Sequence, residues 1–327
     1  MLRRHPGALT HVEGAPHAWG ETARRWSPIR GTPWSMVEPH LPDGVTVGHF
    51  SDPVGRTGCS VVLCPAGGVA GVDVRGAAPG TFATDALRPG TVIELAHGIL
   101  LTGGSLFGLA AATGVMRYLE ERNVGAPFGT VLIPGVVGAV LFDLLEGDPK
   151  ARPTAEDGYA ACQAASAEPA VGAVGAGTGA TVAKAGDPSQ RAPGGLGIAS
   201  ARAGAARVSA VMVANSVGGI WDDERQEWIA PLSRWDPDGD LLPGANTTIG
   251  VIATDAKLTK EQANRVATVA HDGIARAVRP AHTMYDGDTM FCIATGAAAA
   301  AYDAIEVVAT EVVARAIALG VRHAGVR

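Results

Sequence analysis

Short runs of apolar and β-branched residues, bounded by glycine or proline, recur along most of the chain and predict β-strands. These runs lie at residues 44–49, 60–64, 68–75, 93–101, 208–215, 248–254 and 289–295. Helical spacing of apolar residues predicts helices at residues 107–122, 154–167, 259–278 and 304–324. Because strands and helices alternate in clusters, without a strict strand–helix–strand rhythm, the pattern predicts a mixed α and β protein.

Two segments lack such a pattern. Residues 1–40 are rich in Pro, Gly, Trp, His and Arg, and we expect an irregular arm there. Residues 221–245 are rich in Asp and Pro, which predicts a long polar loop. Loops of that length inside a compact domain tend to be functional. The chain from residue 41 to residue 327 is expected to form one domain.

Glycine is unusually frequent in this chain. There are 44 glycines among 327 residues, nearly twice the usual share of about 7%. They show no Gly-X-Y period, so a collagen-like chain is excluded. Aromatic residues make up only 5% of the chain, so the core must consist mainly of Ala, Val, Ile and Leu. Many of the glycines fall in turns, where backbone segments can approach one another or a substrate closely.

The net charge and the cysteines argue against several classes of protein. A net charge of −6 argues against a nucleic-acid-binding surface and against a basic membrane-binding patch. The four cysteines are scattered and too few for a disulfide framework, which favours reduced thiols. No apolar segment follows the N-terminal arginines, and the stretches at 97–116 and 129–142 are too glycine-rich or too short to span a membrane. We therefore expect a cytoplasmic protein.

Two glycine-rich motifs match known patterns only in part. Residues 175–180 (GAGTGA) fit the dinucleotide pattern G-x-G-x-x-G/A, but residues 185–194 contain two prolines and cannot form the helix that this pattern requires. Residues 103–107 (GGSLF) lack the second glycine of a serine nucleophile elbow, so Ser105 is a weak nucleophile candidate. No spacing typical of a metal site occurs, and we expect neither a metal nor an organic cofactor.

The most informative segment is the junction between the polar loop and the strand that follows it. The loop ends at Asn246, and a buried strand begins directly after Thr247. One interpretation is structural only, a loop meeting a strand. The other is chemical, because a threonine with a free α-amine can use that amine as general base for its own hydroxyl. Thr247 would gain such an amine only by self-cleavage of the Asn246–Thr247 bond, and the pattern by itself leaves both interpretations open.

Ten short motifs are spread over residues 40–320. They are VTVGH (45–49), TGCSVV (57–62), GVDVRG (71–76), APGT (78–81), LTGGSLFGL (101–109), GAGTGAT (175–181), GGLG (194–197), VANSVG (213–218), NTTI (246–249) and HTMYDGDT (282–289). Together with Lys184, they resemble the P1 peptidase family of N-terminal-nucleophile hydrolases. That family comprises aminopeptidase/D-esterases, β-peptidyl aminopeptidases and nylon-oligomer hydrolases. The first forty residues lie outside the resemblance.

The resemblance implies a four-layer αββα sandwich of the α+β class. It also implies self-cleavage into an α-chain of residues 1–246 and a β-chain of residues 247–327, which is 327 − 246 = 81 residues long. The single catalytic domain would then consist of residues 41–246 of the α-chain and the whole β-chain. The expected assembly is a homo-oligomer, a tetramer of αβ units or larger.

By the same resemblance, Thr247 is the nucleophile once cleavage after Asn246 exposes its amine. Asn215 donates its side-chain amide to the oxyanion of the tetrahedral intermediate, and such a donor contributes about 10²- to 10³-fold in rate in other amide hydrolases. The charge of Lys184 favours the neutral amine of Thr247 and the developing anion.

The resemblance gives Asp286 and Asp288 the task of holding the Thr247 amine, and both can point inward only if Gly287 bends the chain. Gly104, Ser105 and Phe142 are assigned to substrate binding.

One position departs from the family pattern. Some relatives have Tyr where this chain has Phe142, directly before Asp143, so a hydroxyl contribution at that place is missing.

The expected activity is hydrolysis of peptides or of ω-amino acid oligoamides such as 6-aminohexanoate (nylon) oligomers. The Asn246–Thr247 pair resembles the nylon-oligomer branch, since aminopeptidase members tend to have Gly-Ser at the cleaved bond. Three alternatives stay open: a β-peptidyl or D-amino-acid aminopeptidase of the same family, an ornithine-acetyltransferase-like acyl transferase, and an unprocessed structural relative without activity.

Overall fold

The structure is a computed structural model of the chain and describes residues 34–37, 40–186, 191–232, 242 and 244–325. Most of the predicted N-terminal arm, residues 1–40, lies outside the described residues. Within it, residues 34–37 form the first strand, which pairs with a strand of the main sheet. The division of the chain into an arm, an α-chain part and a β-chain part stays a prediction.

The strands of the described part of the chain are numbered β1 to β17. In order they are Trp34–Val37, Thr46–Asp52, Thr57–Val74, Thr81–Phe82, Leu95–Thr102, Ala126–Phe128, Val131–Ile133, Val136–Val140, Thr181–Val182, Ala192–Pro193, Gly195–Ala203, Ala206–Asn215, Gly219–Asp222, Glu227–Ala230, Thr247–Ala256, Val278–Arg279 and Thr289–Ala298. Helices α1 to α4 are Ala111–Glu120, Ala155–Gln163, Lys260–Ala277 and Tyr302–Gly325. Short 3₁₀ turns occur at Thr84–Leu87, Ser105–Ala110 and Gly175–Gly177.

Two of the helices begin with a threonine cap. Thr154 and Thr259 each accept a hydrogen bond from the backbone N–H three residues later, and the side chains of Asp157 and Gln262 bond back to the cap N–H groups. These reciprocal bonds satisfy donors that the first turn of a helix leaves open. They fix the start of α2 and of α3 at the predicted residues.

Three predicted elements differ from the structure. The strands predicted at 60–64 and 68–75 are one long strand, β3, with an irregular register between Leu63 and Gly68. The helix predicted from residue 107 begins only at Ala111, because a 3₁₀ turn precedes it. The prediction of a polar loop at 221–245 is wrong for the first ten of these residues. There β13 and β14 pair, and Trp221 packs edge-to-face on Trp228.

The main sheet is mixed, in the order β1-β11-β12-β15-β17-β3-β5-β8-β4, and β2 pairs with β3 beside this path. β15 and β17 are parallel, and so are β5 and β8, whereas the other neighbours are antiparallel. The long strand β3 joins the two halves. Residues 69–74 of β3 pair with β17, and residues 59–63 pair with β5.

The alternation of side chains along single strands explains how this sheet folds over itself. In β15, Ile249 and Val251 belong to a core cluster that also contains Val62 and Ile99 from the other half of the sheet. On the opposite face of β15, Ile252 packs in a cluster with α3 and α4. Because such strands are buried on both faces, they appear in the sequence as continuous apolar runs.

A third cluster covers the far side of the molecule. Val61 and Leu63 of β3 pack there with Val115 and Leu119 of α1. Three apolar cores therefore separate four layers: α3 and α4, the sheet half with β11, β12, β15 and β17, the half with β2, β3, β5 and β8, and finally α1 and α2. This arrangement confirms the predicted αββα sandwich.

Two further observations bear on the expected class of protein. The four cysteines are buried and free, as the sequence predicts. In the described residues, no helix is both long enough and apolar enough to cross a membrane. The cytoplasmic location stays a prediction.

The contact between α1 and α2 depends on two glycines. A Cβ on Gly114 would lie 1.7 Å from the carbonyl oxygen of Ala155, and a Cβ on Gly158 would lie 2.1 Å from the carbonyl oxygen of Ala111. Both distances are far below van der Waals contact. The two helices therefore meet at backbone distance, with no space for a methyl group.

We predict that Gly114→Ala lowers the free energy of unfolding by about 1–3 kcal/mol, because the methyl group must displace the α2 backbone. Helix propensity alone predicts the opposite sign, since alanine favours a helix over glycine by about 1 kcal/mol. Gly325→Ala is the matched control, because a Cβ at this α4 position meets open space. Chemical denaturation of both variants measures the two changes. A Gly114→Ala protein as stable as wild type would contradict the close approach.

Candidate active site

The five residues predicted to carry the chemistry lie at one end of the main sheet. Thr247 is the first residue of β15 and pairs with Asn215, the last residue of β12. The segment before β17 carries Asp286 and Asp288, and β17 runs parallel to β15. Lys184 reaches the same place from the loop after β9. The structure thus brings the predicted residues together. All five side chains are buried.

The carbonyl oxygen of Asn246 accepts two hydrogen bonds. The Thr247 hydroxyl, Oγ1, donates to it, and the backbone N–H of Gly287 donates to it at 2.9 Å. Asn246 also forms an isolated parallel bridge with Asp286. The Asn246–Thr247 peptide is thus held with the hydroxyl and an amide N–H on its carbonyl.

Position 287 has no room for a side chain. A Cβ on this residue would lie 2.5 Å from the carbonyl oxygen of Ala78 and 3.0 Å from Oγ1 of Thr247. Any side chain there would press on the hydroxyl and on the neighbouring backbone. The bend expected at Gly287, which lets both aspartates point inward, also brings the Gly287 N–H to the carbonyl of Asn246.

Lys184 and Asn215 form a buried polar pair. Nζ of Lys184 donates to Oδ1 of Asn215 at 2.7 Å, and it also lies 3.2 Å from the carbonyl oxygen of Ala245. Oδ1 of Asn215 accepts a second bond, from the N–H of Thr181 at 3.0 Å. These two donors fix the amide orientation, so Nδ2 faces the carbonyl oxygen of Phe142, 3.0 Å away.

Burial lowers the pKa of Lys184 to about 7, although the nearby charge of Glu146 acts in the opposite direction. An ammonium group out of water loses hydration, and the neutral amine becomes comparatively favourable. Lys184 consequently changes charge close to neutral pH.

The two aspartates bind backbone amides next to the threonine rather than its own nitrogen. Oδ1 of Asp288 accepts the N–H of Thr248 at 2.6 Å, and Oδ1 of Asp286 lies 3.4 Å from the N–H of Val217. Burial, and then the charge of Asp288, raise the pKa of Asp286 to about 6. Both carboxylates point inward around Gly287, as the sequence analysis required.

His282 belongs to this network and was missed as a functional candidate. Its Nδ1 lies 2.7 Å from Oδ2 of Asp288, and its backbone N–H donates to the same oxygen at 3.1 Å. The ring also packs edge-to-face on His271 at 4.8 Å. Burial lowers the pKa of His282, but the hydrogen bond and charge of Asp288 outweigh it, so the pKa lies above its usual value. In the sequence, His282 could have been recognised as a candidate only from its place in the motif at 282–289.

A cavity of about 240 Å³ opens beside Thr247. Its lining residues are Ala78, Pro79, Gly80, Ser105, Leu106, Val140, Leu141, Phe142, Gly244 and Thr247. Ser105 and Phe142, two of the residues assigned to substrate binding, therefore face this cavity.

Gly104, the third residue assigned to substrate binding, does not line the cavity. Its φ is 78°, in the left-handed region, and its N–H donates to Oδ1 of Asp143 at 2.7 Å. The other oxygen of Asp143 accepts the hydroxyl of Thr57 at 2.7 Å. Asp143 thus holds the turn that presents Ser105, a role that the sequence analysis did not foresee. Burial raises the pKa of its carboxyl.

In residues 40–186, 191–232 and 244–325, no group of three or more His, Cys, Asp or Glu side chains is arranged to hold an ion.

Known proteins resemble this chain over most of its length. An uncharacterized aminopeptidase of Mycobacterium leprae is 44% identical over 286 residues, which cover 78% of this chain and 77% of that protein. A 6-aminohexanoate-oligomer endohydrolase of an Agromyces species is 32% identical over 302 residues, 87% of this chain and 81% of that protein.

Two solved structures have the same fold. A β-aminopeptidase of a Burkholderia species matches with a TM-score of 0.68 at 24% identity, over 88% of this chain and 87% of that one. An L-aminopeptidase D-Ala-esterase/amidase of Ochrobactrum anthropi, described as a variant of the Ntn hydrolase fold, matches with a TM-score of 0.63 at 20% identity. That match covers 86% of this chain and 89% of the other.

The sequence profile of peptidase family S58 matches residues 43–325, which is nearly the whole of the sandwich. This match and the relatives above confirm the resemblance drawn from the ten motifs. The chain therefore belongs to peptidase family S58 and is a hydrolase that acts on amide bonds.

Proposed function

We propose that the chain is an N-terminal-nucleophile amide hydrolase that cleaves its own Asn246–Thr247 bond and then uses Thr247 to cleave its substrate. The observation that carries this proposal is the Asn246 carbonyl, which accepts hydrogen bonds from the Thr247 hydroxyl and the Gly287 N–H. A carbonyl next to its nucleophile and already bonded by an amide N–H is prepared for attack.

Self-cleavage begins when Oγ1 of Thr247 attacks the carbonyl carbon of Asn246. The oxygen of that carbonyl becomes an oxyanion, which the N–H of Gly287 stabilises. The C–N bond then breaks, the hydroxyl proton passes to the Thr247 nitrogen, and an ester joins the two parts of the chain. The nitrogen of Thr247 is then a free amine. Water hydrolyses the ester, giving a carboxylate on Asn246 and restoring the hydroxyl of Thr247.

In the substrate reaction, the Thr247 amine takes the proton of Oγ1 as the hydroxyl attacks the substrate amide. The resulting oxyanion receives a hydrogen bond from Nδ2 of Asn215, which carries two hydrogens and uses one on the carbonyl of Phe142. The charge of Lys184, 2.7 Å from Oδ1 of Asn215, polarises this amide toward the anion. The amine product leaves with the proton, and water then hydrolyses the acyl ester.

The relatives support peptides or ω-amino acid oligoamides as substrates. Relatives at 43–44% identity carry the name aminopeptidase, and three relatives at 32% identity carry the name 6-aminohexanoate-oligomer endohydrolase. An aminopeptidase is therefore the second candidate. None of the relatives named above supports the ornithine-acetyltransferase-like alternative by its name. Assembly into a homo-oligomer remains part of the proposal.

We predict that Thr247→Ala leaves the chain uncleaved and lowers amide hydrolysis by at least about 10³-fold, because the nucleophile is lost. Thr247→Ser is the matched control, since it keeps a hydroxyl at the same place and should still cleave itself. Gel electrophoresis and N-terminal sequencing measure the outcome, with the new terminus expected at residue 247. An alanine variant that breaks at this bond would contradict the proposal.

We also predict a bell-shaped pH dependence of kcat/KM centred near neutrality. The pKa of Lys184 is lowered to about 7, so its charge is present below that pH and disappears above it, which gives the falling alkaline limb. The acidic limb comes from the Thr247 amine, which must be neutral to act as base.

Lys184→Met is expected to lower the rate by about 10²- to 10³-fold and to remove the alkaline limb. Its acidic limb should move to higher pH, because a neighbouring cation no longer favours the neutral amine. Rates are compared per molecule of self-cleaved protein. An alkaline limb unchanged in Lys184→Met would assign that limb to another group.

A further inference from the structure

His282 binds the carboxylate of Asp288, and the reaction steps proposed above leave it without a role. Its φ is 56°, in the left-handed region that also accommodates glycine and asparagine. Its backbone N–H donates to Oδ2 of Asp288 at 3.1 Å, and its ring Nδ1 lies 2.7 Å from the same oxygen. His282 therefore contacts this carboxylate through both its main chain and its side chain.

Asp288 connects this histidine to the nucleophile. Its other oxygen, Oδ1, accepts the N–H of Thr248 at 2.6 Å, and Thr248 directly follows Thr247. The side chain of Asp288 is only 2% exposed, so solvent screens its charge little. The carboxylate consequently places a negative charge one residue from the nitrogen of Thr247.

 

The surroundings of the His282 ring suit an imidazolium cation. Nδ1 faces the carboxylate of Asp288, and Nε2 lies 3.4 Å from the carbonyl oxygen of His271. Carboxylate and carbonyl oxygens accept hydrogen bonds; a neutral imidazole has one N–H, whereas the cation has two and can donate to both. Burial lowers the pKa of His282, but the hydrogen bond and charge of Asp288 outweigh it and hold the pKa above its usual value.

Titratable and charged groups on two other elements lie around this ring. The ring of His271 in α3 packs on it edge-to-face, with 4.8 Å between the centroids. Burial lowers the pKa of His271, and its Nε2 donates to the carbonyl oxygen of Asp73, so this second ring is neutral at neutral pH. The charge of Arg75, which follows β3, lowers the pKa of His282, but its guanidinium is paired with Asp73 at 3.1 Å. The cation on His282 therefore has Asp288 as its direct partner.

Charges of both signs lie near the position that the Thr247 amine would take. Lys184 approaches from the loop after β9, and its Nζ lies 3.2 Å from the carbonyl oxygen of Ala245. Its ammonium favours the neutral amine, whereas the carboxylates of Asp286 and Asp288 favour the protonated one. Because a protonated amine cannot accept the proton of Oγ1, the two carboxylates oppose its action as a base unless a cation compensates them.

Resting on the proposed function, we infer that His282 is a positioning residue for Thr247. Its imidazolium compensates the charge of Asp288, so that this carboxylate can hold the N–H of Thr248 without favouring the protonated Thr247 amine. His282 acts through Asp288 rather than on the substrate. One ion pair thus serves two purposes, since it fixes the start of β15 and keeps the amine in the form that acts as a base.

His282→Asn separates the charge of the ring from its hydrogen bond. Asparagine carries its side-chain NH₂ at the position of Nδ1, and it tolerates a left-handed φ. We expect this variant to cleave itself before Thr247, to keep its alkaline limb and to reach a maximal kcat/KM close to that of wild type. Its acidic limb should move to higher pH by at least about 0.5 unit, since the amine then lies next to an uncompensated carboxylate.

His282→Gly is the matched second variant. It removes the ring and its hydrogen bond but leaves the backbone N–H in place, and glycine adopts a φ of 56° without strain. We expect the same shift of the acidic limb, together with a loss of about tenfold or more in the maximal rate, because Asp288 loses a hydrogen bond that orients it. If the asparagine variant did not fold, the acidic limb of the glycine variant would decide.

Both variants and the wild-type protein are compared by kcat/KM as a function of pH, per molecule of self-cleaved protein. The substrates are alanine p-nitroanilide and a 6-aminohexanoate trimer, and the one that the wild-type protein hydrolyses faster is used throughout. A merely structural histidine would lower the maximal rate without moving the acidic limb. The pH at which that limb lies is therefore the deciding readout.

An acidic limb at the wild-type pH in His282→Asn would overturn the inference and leave the proposed amide hydrolase in place. A folded His282→Asn protein that stays uncut would overturn it as well, because the inference gives the charge of the ring no part in self-cleavage. A wild-type profile without an acidic limb, or hydrolysis of neither substrate, would count against the proposed function itself, and the inference would fall with it.

Discussion

The position of one carbonyl group governs the whole site. The oxygen of Asn246 lies between the Thr247 hydroxyl and the Gly287 N–H, and it can do so only because residue 287 has no side chain. In the proposed reaction, the hydrogen bond from Gly287 that holds Asn246 also supports the oxyanion of self-cleavage. Structure and chemistry at this junction therefore depend on one hydrogen-bond acceptor.

The αββα sandwich supplies the rigidity that this contact needs. β15 is buried on both faces, with Val251 in the core between the two sheet halves and Ile252 in the core beneath α3 and α4. Its neighbours β12 and β17 deliver Asn215 and the aspartate segment to the end where Thr247 begins. Side chains held on packed strands keep their relative positions, and a catalytic group gains most from that precision.

The sequence predicts the helices and the inner strands well, because each has an apolar stripe, a cap or a run buried on both faces. It does not predict that Thr57–Val74 is one strand, since its continuity depends on pairing with two different sheet halves. The site residues were found by family motifs rather than by pattern, because Lys184 and Asn215 meet only in the fold. The contact of His282 with Asp288 is invisible in sequence for the same reason.

The central claim is that the chain breaks itself between Asn246 and Thr247. Intact-mass spectrometry of the purified wild-type protein tests it most directly. The account predicts two polypeptides of 246 and 81 residues, whose masses together exceed that of the uncut chain by one water. A single 327-residue chain that hydrolyses amides, or a break at any other bond, would contradict it.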